Sequence, residues 1–412
     1  MKWWLAAAAA LLLLLVLVVD LRPDLPPLGP PEAAQVVAGR AAFRQVKQAV
    51  SAPPPSTIVT LSNRDLADIA TLAGNVLHVR RVEAQTRAGQ LHLAASVEPV
   101  PYLWLNVTAD VGESRAGFPP VDARIGSLPL PRFLSRLGLD VAHRLLVWRG
   151  SNLPPLDDLV RGLQVEGDLL QVELKSPLGK SGLVREATGV MAKPVDADRV
   201  VALFCALSAE QVRAPDADLA VHLNRAFGEE MNRGRTAVIA DNRAALVAVA
   251  MLAVGRPVGD LAGDIQARVN ACPGATGQLE LAGRNDLAKH WALSAALAAV
   301  AGDNVGRALG EFKELADSVE GGSGFSFVDL AADRAGLRVG RAATTPASAR
   351  QARARLAAAR NADLLPIDAR HLAEGLRTEV FVARYRDIDS PQYAEAVRRI
   401  DALLDAAGLF PA

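Results

Sequence analysis

A change of hydrophobic period part-way along the chain constrains the fold more than any other feature of the sequence. In QLHLAASVEP, Leu91, Leu93, Ala95 and Val97 fall on one side of an extended chain. In YLWLNVTADV, Leu103, Leu105, Val107 and Ala109 do the same, leaving Trp104, Asn106, Thr108 and Asp110 on the other side, and LLQVELKSP alternates likewise. A period of two predicts half-buried antiparallel strands. Beyond about residue 190 the apolar spacing becomes helical and alanine-rich, as in ADRVVALFCALSAEQ, DNRAALVAVAMLAVG and YAEAVRRIDALLDAAG. The expected fold class is therefore α+β, a curved antiparallel sheet with two helices, followed by an all-α helical bundle.

The two helices of the first half carry their own signals. Ser62 is an N-cap residue with Leu66, Ile69, Ala70 and Ala73 at helical spacing behind it. A second helix opens after a proline, with Phe133, Leu134, Leu137, Val141 and Leu145 in helical register. Glycine, serine and proline break the pattern between Lys175 and Lys193, which sets a boundary between a 56–178 domain and a 190–412 domain. With 412 residues, 50% of them hydrophobic, the chain has material for two cores. ALVAVAMLAVG is too short to span a bilayer and reads as a buried helix.

Residues 3–19 form an uninterrupted apolar run behind Lys2, followed by Asp20, Arg22 and Asp24. At ~1.5 Å per residue this run reaches roughly 25 Å, the short end of what crosses a hydrocarbon core. No small-residue cleavage site and no lipobox cysteine ends it, so an uncleaved anchor is expected over a signal peptide that leaves a secreted product. The expected localisation is the inner membrane, single-pass, with the bulk in the periplasm. Residues 21–55, rich in proline, read as a stiff spacer with one short helix.

Lys plus Arg and Asp plus Glu number 45 each, so no net field favours nucleic acid, and none is expected as partner. The expected partners are the membrane, a lipid ligand and an envelope protein; no cofactor is expected. In an oxidising compartment the two cysteines, Cys205 and Cys272, are expected to pair, and neither has the spacing of a zinc ligand. The other reading of Cys205 is a small core residue in an apolar helix.

KELADSVEGGSGFSFVDLAADRAG, residues 313–336, places Glu314 and Asp317 three apart and Asp329 and Asp333 four apart, each pair on one helix face. Ser326 is an N-cap candidate and Asp329 then sits at the third helical position. Lys313, His290, Arg334 and Arg338 are the cations available to these carboxylates. Two readings stand: ion pairs and caps that set helix register, or a catalytic or metal-binding cluster of His290, Lys313, Glu314, Asp317, Asp329 and Asp333 in an envelope hydrolase. No H-E-x-x-H, E-x-x-H, G-x-S-x-G or phosphate-loop motif accompanies them.

Two resemblances add to this. The order SNRDLADIA, LHLAAS, WLNVTADV, GFPPVDARIGSLPLP, a long helix and LQVEGDLLQVELK, over residues 55–178, resembles bacterial modules related to the tubular lipid-binding superfamily. That resemblance implies a sheet wrapped on a helix with an apolar groove, here lined by Leu91, Leu93, Leu103 and Leu105 and by the face of Phe133, Leu137 and Val141; the same faces can also pack solid. KHWALSAAL, GEFKELADS and GSGFSFVDLAADRAG, within residues 285–343, resemble the YfiM-like lipoproteins and, more distantly, the VanZ-like family. The positions carrying it are His290, Lys313, Glu314, Asp317, Ser326, Asp329, Asp333 and Gly336, and it implies a core geometry and no reaction.

Overall fold

The computed structural model describes residues 17–51, 57–77, 79, 81–148, 155–174, 195–228, 235–263, 265–274, 278–319, 322–407 and 410. The chain divides into two units, one of residues 1–31 and 35–183 and one of residues 32–34 and 184–412. Residues 3–16 of the apolar run lie outside the described residues.

The alternating segments of the first unit form two antiparallel sheets, where one curved sheet was expected. Strands β1 (Thr57–Ser62), β7 (Val160–Glu166) and β8 (Leu169–Leu174) make a three-stranded sheet in the order β1-β8-β7. Strands β2 (Val82–Arg87), β3 (Gln90–Val100), β4 (Leu103–Val111), β5 (Val121–Ile125) and β6 (Leu128–Leu130) make a five-stranded meander. Helices α1 (Ala33–Ser51), α2 (Asn63–Leu77) and α3 (Arg132–Trp148) accompany them. Ser62 caps α2 as the sequence predicts: its Oγ accepts from Asp65 N at 3.2 Å, and Asp65 Oδ2 accepts from Ser62 N at 2.9 Å, a reciprocal box. The core joins Val59, Leu61, Leu163, Val165 and Leu170 of the small sheet to Ala42 of α1, Leu66 of α2 and Val111 of β4.

The register places Leu91, Leu93, Ala95 and Val97 of β3 beside Val111, Ala109, Val107 and Leu105 of β4, one continuous apolar face. Only one end of that face is covered, where Leu91, Val111 and Val121 meet the core. Toward the β3–β4 turn it is open, with Leu93 and Val97 each 38% exposed. The polar face is the covered one there, since Ser96 and Asn106 are 3% exposed. Residues 20–25 lie across it: Asn106 Nδ2 donates to Asp20 Oδ2 at 2.9 Å and Arg22 O at 3.0 Å, and its Oδ1 accepts from Asp24 N at 3.0 Å. Arg81 joins the same seam, donating to Leu25 O at 2.5 Å with its guanidinium over the Trp104 ring. The start of the stretch expected to be a stiff spacer is held to the sheet, because Asn106 and Ser96 offer the partners that an extended chain's amides and carbonyls need.

The second unit is helical: α4 (Ala197–Arg213), α5 (Leu219–Phe227), α6 (Arg235–Val254), α7 (Asn285–Ala301), α8 (Asp303–Asp317), α9 (Phe327–Thr344), α10 (Ala349–Leu356), α11 (Thr378–Tyr385) and α12 (Pro391–Ala407). Helix α6 begins earlier than its apolar run suggested, so that Ala237–Val254 is long and apolar enough to cross a membrane by length and composition. Most of that stretch is buried within the protein, and two of its polar residues, Asn242 and Arg243, find partners there. Asn242 Nδ2 donates to Ala343 O and Ala349 O at 2.9 Å each, and Arg243 Nε to Ala299 O at 3.0 Å. It is a core helix, apolar on every side because helices surround it. A disulfide joins Cys205 of α4 to Cys272, sixty-seven residues on.

Helices α7 and α9 cross at backbone contact. A Cβ on Gly336 would fall 2.1 Å from Trp291 O, and one on Gly340 would fall 2.3 Å from Ala295 O. Only glycine allows that approach, and it brings the polar residues of the two helices within reach of each other.

Candidate functional site

The described residues bring the six polar positions of the sequence cluster together, from three helices of the second unit. Helix α7 supplies His290 and Ser294, α8 supplies Lys313, Glu314 and Asp317, and α9 supplies Asp329 and Asp333. Residues 290 and 294 share a face, as do 329 and 333, so the close crossing of α7 and α9 sets two pairs opposite each other. Ser294 Oγ donates to Asp333 Oδ1 at 2.6 Å, and His290 Nδ1 lies 3.1 Å from Asp333 Oδ2. Room for that carboxylate comes from Gly310 on α8, where a Cβ would stand 2.8 Å from Asp333 Oδ2.

The other side of the imidazole faces two more carboxylates. His290 Nε2 is 3.4 Å from Asp329 Oδ2 and 3.9 Å from Glu314 Oε1. Lys313 Nζ lies 2.9 Å from Glu314 Oε1, 2.8 Å from Asp317 Oδ2 and 3.5 Å from Asp329 Oδ2. Glu314 is fully buried and also caps α9, its Oε2 accepting from Ser326 N at 2.9 Å, while Ser326 Oγ accepts from Asp329 N at 3.0 Å. The N-cap role of Ser326 is the one read from sequence. One donor atom from each of His290, Glu314 and Asp333 lies within 4.8 Å of the others.

Burial and charge oppose each other throughout the cluster. Burial pushes the Glu314 carboxyl up to about 7, with Lys313 pulling the other way, and raises Asp329 against the pull of His290 and Lys313. Burial disfavours the His290 imidazolium, but the hydrogen bond to Asp333 and its charge outweigh this and the net shift is upward. Lys313 likewise holds its proton more firmly than a free lysine, because Glu314 and Asp317 outweigh its desolvation. The arrangement can hold a proton on Glu314 or on His290, or a cation among the carboxylates.

Two cations available by sequence go elsewhere. Arg334 forms a bidentate pair with Asp401 on α12, and Arg338 bonds Asp401 and Asp405. Positions 334 and 338 lie about 100° and about 140° around α9 from 333, on the face toward α12. Sequence reasoning missed Arg284, which precedes α7 and lies 3.6 Å from Asp329 Oδ1 while pairing with Asp286 and Glu374. Its pairing with Asp286 is local, but Asp329 and Glu374 come from distant stretches, so spacing alone does not bring it to the cluster.

In the first unit, the seven positions expected to line a lipid groove divide. Leu91 packs on the core, Leu105 is half-buried, and Leu93 and Leu103 are exposed. Phe133, at 68% exposure, stands with Leu137 and Val141 as an exposed stripe on α3, so this helix does not close over the sheet. A recess lined by Glu113, Ser114, Arg115, Gln164 and Glu166 is polar and offers no bed for an acyl chain. Compared with known proteins, the chain matches no family model, no curated relative and no solved structure.

Proposed function

We propose that this is a membrane-anchored envelope protein whose α+β unit binds lipid at the bilayer surface beside its own anchor. The observation carrying this reading is where the apolar run ends. Leu17 O accepts from Ser127 N at 2.9 Å and from Ser127 Oγ at 3.1 Å, and Asp20 and Trp104 exchange backbone hydrogen bonds of 2.9 and 2.8 Å. The run is thereby fastened to the end of the five-stranded sheet at which Val97, Val100, Tyr102 and Leu103 are exposed, Tyr102 by 82%. An apolar patch of this kind next to an apolar segment suits a lipid interface, where a tyrosine sits with its ring apolar and its hydroxyl wet. The resemblance of residues 55–178 to lipid-binding modules points the same way. The Cys205–Cys272 bridge suits an oxidising compartment, hence an inner-membrane protein with its bulk in the periplasm.

A photo-crosslinking amino acid at position 102, in the full chain in its native membrane, tests the reading. Lipid adducts are expected there and not at Ile58, which is 61% exposed on β1. No lipid adduct at 102, or equal yields at 58, would sink it.

A further inference from the structure

The cluster of the helical unit has a geometry that the lipid reading neither uses nor needs. His290 has its Nδ1 side held by Asp333, which is fixed in turn by Ser294. A histidine held at Nδ1–H by a carboxylate presents its Nε2 lone pair on the far side, the arrangement of metal-ligating histidines. Here Nε2 faces Asp329 Oδ2 at 3.4 Å and Glu314 Oε1 at 3.9 Å. Donor atoms about 2.1 Å from a tetrahedral ion stand about 3.4 Å apart, so the His290–Asp329 separation of 3.4 Å already matches and the His290–Glu314 separation of 3.9 Å is slightly long.

Asp329 supplies a separate observation. It is 6% exposed, its carboxylate is turned into the cluster, and its Oδ1 has no hydrogen-bond partner; Arg284 stands 3.6 Å away and is bonded to Asp286 and Glu374. Buried carboxylate oxygens are ordinarily bonded, so the unbonded Oδ1 leaves this carboxylate with capacity for a further ligand, while its Oδ2 faces His290 and Lys313. The charge balance agrees. Among the described residues, the cations within 4 Å of Glu314, Asp317, Asp329 and Asp333 are Lys313, His290 and the shared Arg284.

We propose that His290 Nε2, Glu314 and Asp329 bind a divalent first-row transition ion, with Asp333 and Ser294 as positioning residues behind the histidine. The imidazole selects zinc- or manganese-class ions over magnesium and calcium, which prefer oxygen alone. Lys313 is the competitor. Its ammonium sits on the same two carboxylates, and an ion entering the site releases it to Asp317 at 2.8 Å and displaces any proton on Nε2. The lysine side chain is 34% exposed, so it swings out without unpacking the bundle.

The test is titration of the chelator-treated full chain in detergent with Zn2+, Mn2+ and Mg2+, followed by calorimetry and thermal melting. One saturable site is expected, for Zn2+ and Mn2+, with Mg2+ weaker by at least ~100-fold. Glu314→Gln and Asp329→Asn should each weaken Zn2+ binding at least ~10-fold, and Ser294→Ala about 10-fold through loss of orientation. Lys313→Met should tighten it. A network that is only structural gives the opposite pattern, a lower melting temperature for Lys313→Met and no gain in zinc binding. His92→Gln removes the His92–Asp110 pair of the first unit and should leave the affinity unchanged. The proposal is overturned if neither the wild type nor Lys313→Met shows saturable binding. Binding that persists in folded Glu314→Gln and Asp329→Asn proteins, an adventitious ion only, overturns it equally; circular dichroism establishes that they fold, and where they do not, Lys313→Met decides.

Discussion

The five-stranded sheet and the α7–α8–α9 cluster both reverse the usual placement of polar and apolar groups, by different means. In the sheet, the polar face is covered because residues 20–25 match its hydrogen-bonding groups, and the apolar face is left open at one end. In the bundle, Asp333 is buried because two glycines bring α7 and α9 close enough for it to meet His290 and Ser294. Asn106 and Asp333 are buried where partners are available to them. Polarity alone predicts neither region, and the two should respond differently to substitution.

The largest expected effect is in the bundle. Asp333→Ala leaves Ser294 and His290 without their acceptor and should cost about 3–5 kcal/mol, read as a loss of the helical unit's melting transition by calorimetry. The covered end of the sheet comes next: Leu163→Ala empties part of a packed core and should cost about 2–4 kcal/mol in denaturant titration. At the inverted end, Asn106→Leu should cost about 2 kcal/mol although it adds apolar surface, and the Asp24 amide should lose hydrogen-exchange protection. A stabilised Asn106→Leu protein would break the comparison, because the seam would then be incidental.

His222 sharpens the comparison for the helical unit. It is fully buried on α5, Nε2 lies 2.9 Å from Asp216 O, and Nδ1 has no hydrogen-bond partner among the described residues. Burial lowers its pKa below the ordinary value, the Asp216 carbonyl offsetting only part of this. The unfolded chain therefore takes up the proton first. Stability is full above the unfolded value of about 6.5 and falls below it by up to about 1.4 kcal/mol per pH unit, until the folded value is reached. His222→Gln, which keeps a donor for Asp216 O, should flatten that stretch of the stability–pH curve. The smallest effect is expected at the open face. Leu103→Ser should change stability by less than about 0.5 kcal/mol, since the residue is already exposed, while reducing recovery of the protein with lipid.

Much of this was legible in the sequence. The Ser62 and Ser326 caps, the alternation of β3 and β4 and the shared face of Asp329 and Asp333 are local or period-based, governed by backbone geometry over a few residues, whereas the pairing of Cys205 with Cys272, sixty-seven residues apart, followed from the chain having two cysteines and an expected oxidising compartment. The division of charges on α9 was legible only by half. Helical spacing separates 329 and 333 from 334 and 338, but it does not say which neighbour each face meets.

What the sequence determined by itself is therefore the class of each half, α+β before the boundary and helical after it, together with the ends of several elements. Hydrophobic period and capping chemistry act within one or two turns of chain. Only the tertiary structure decided that residues 20–25 cover the polar face of the sheet, that Arg284 joins the cluster while Arg334 and Arg338 serve α12, and that Gly310, Gly336 and Gly340 make room for Asp333 and for the helix crossing. These are pairings between residues tens of positions apart, and their energies depend on distance and burial, which spacing along the chain does not encode.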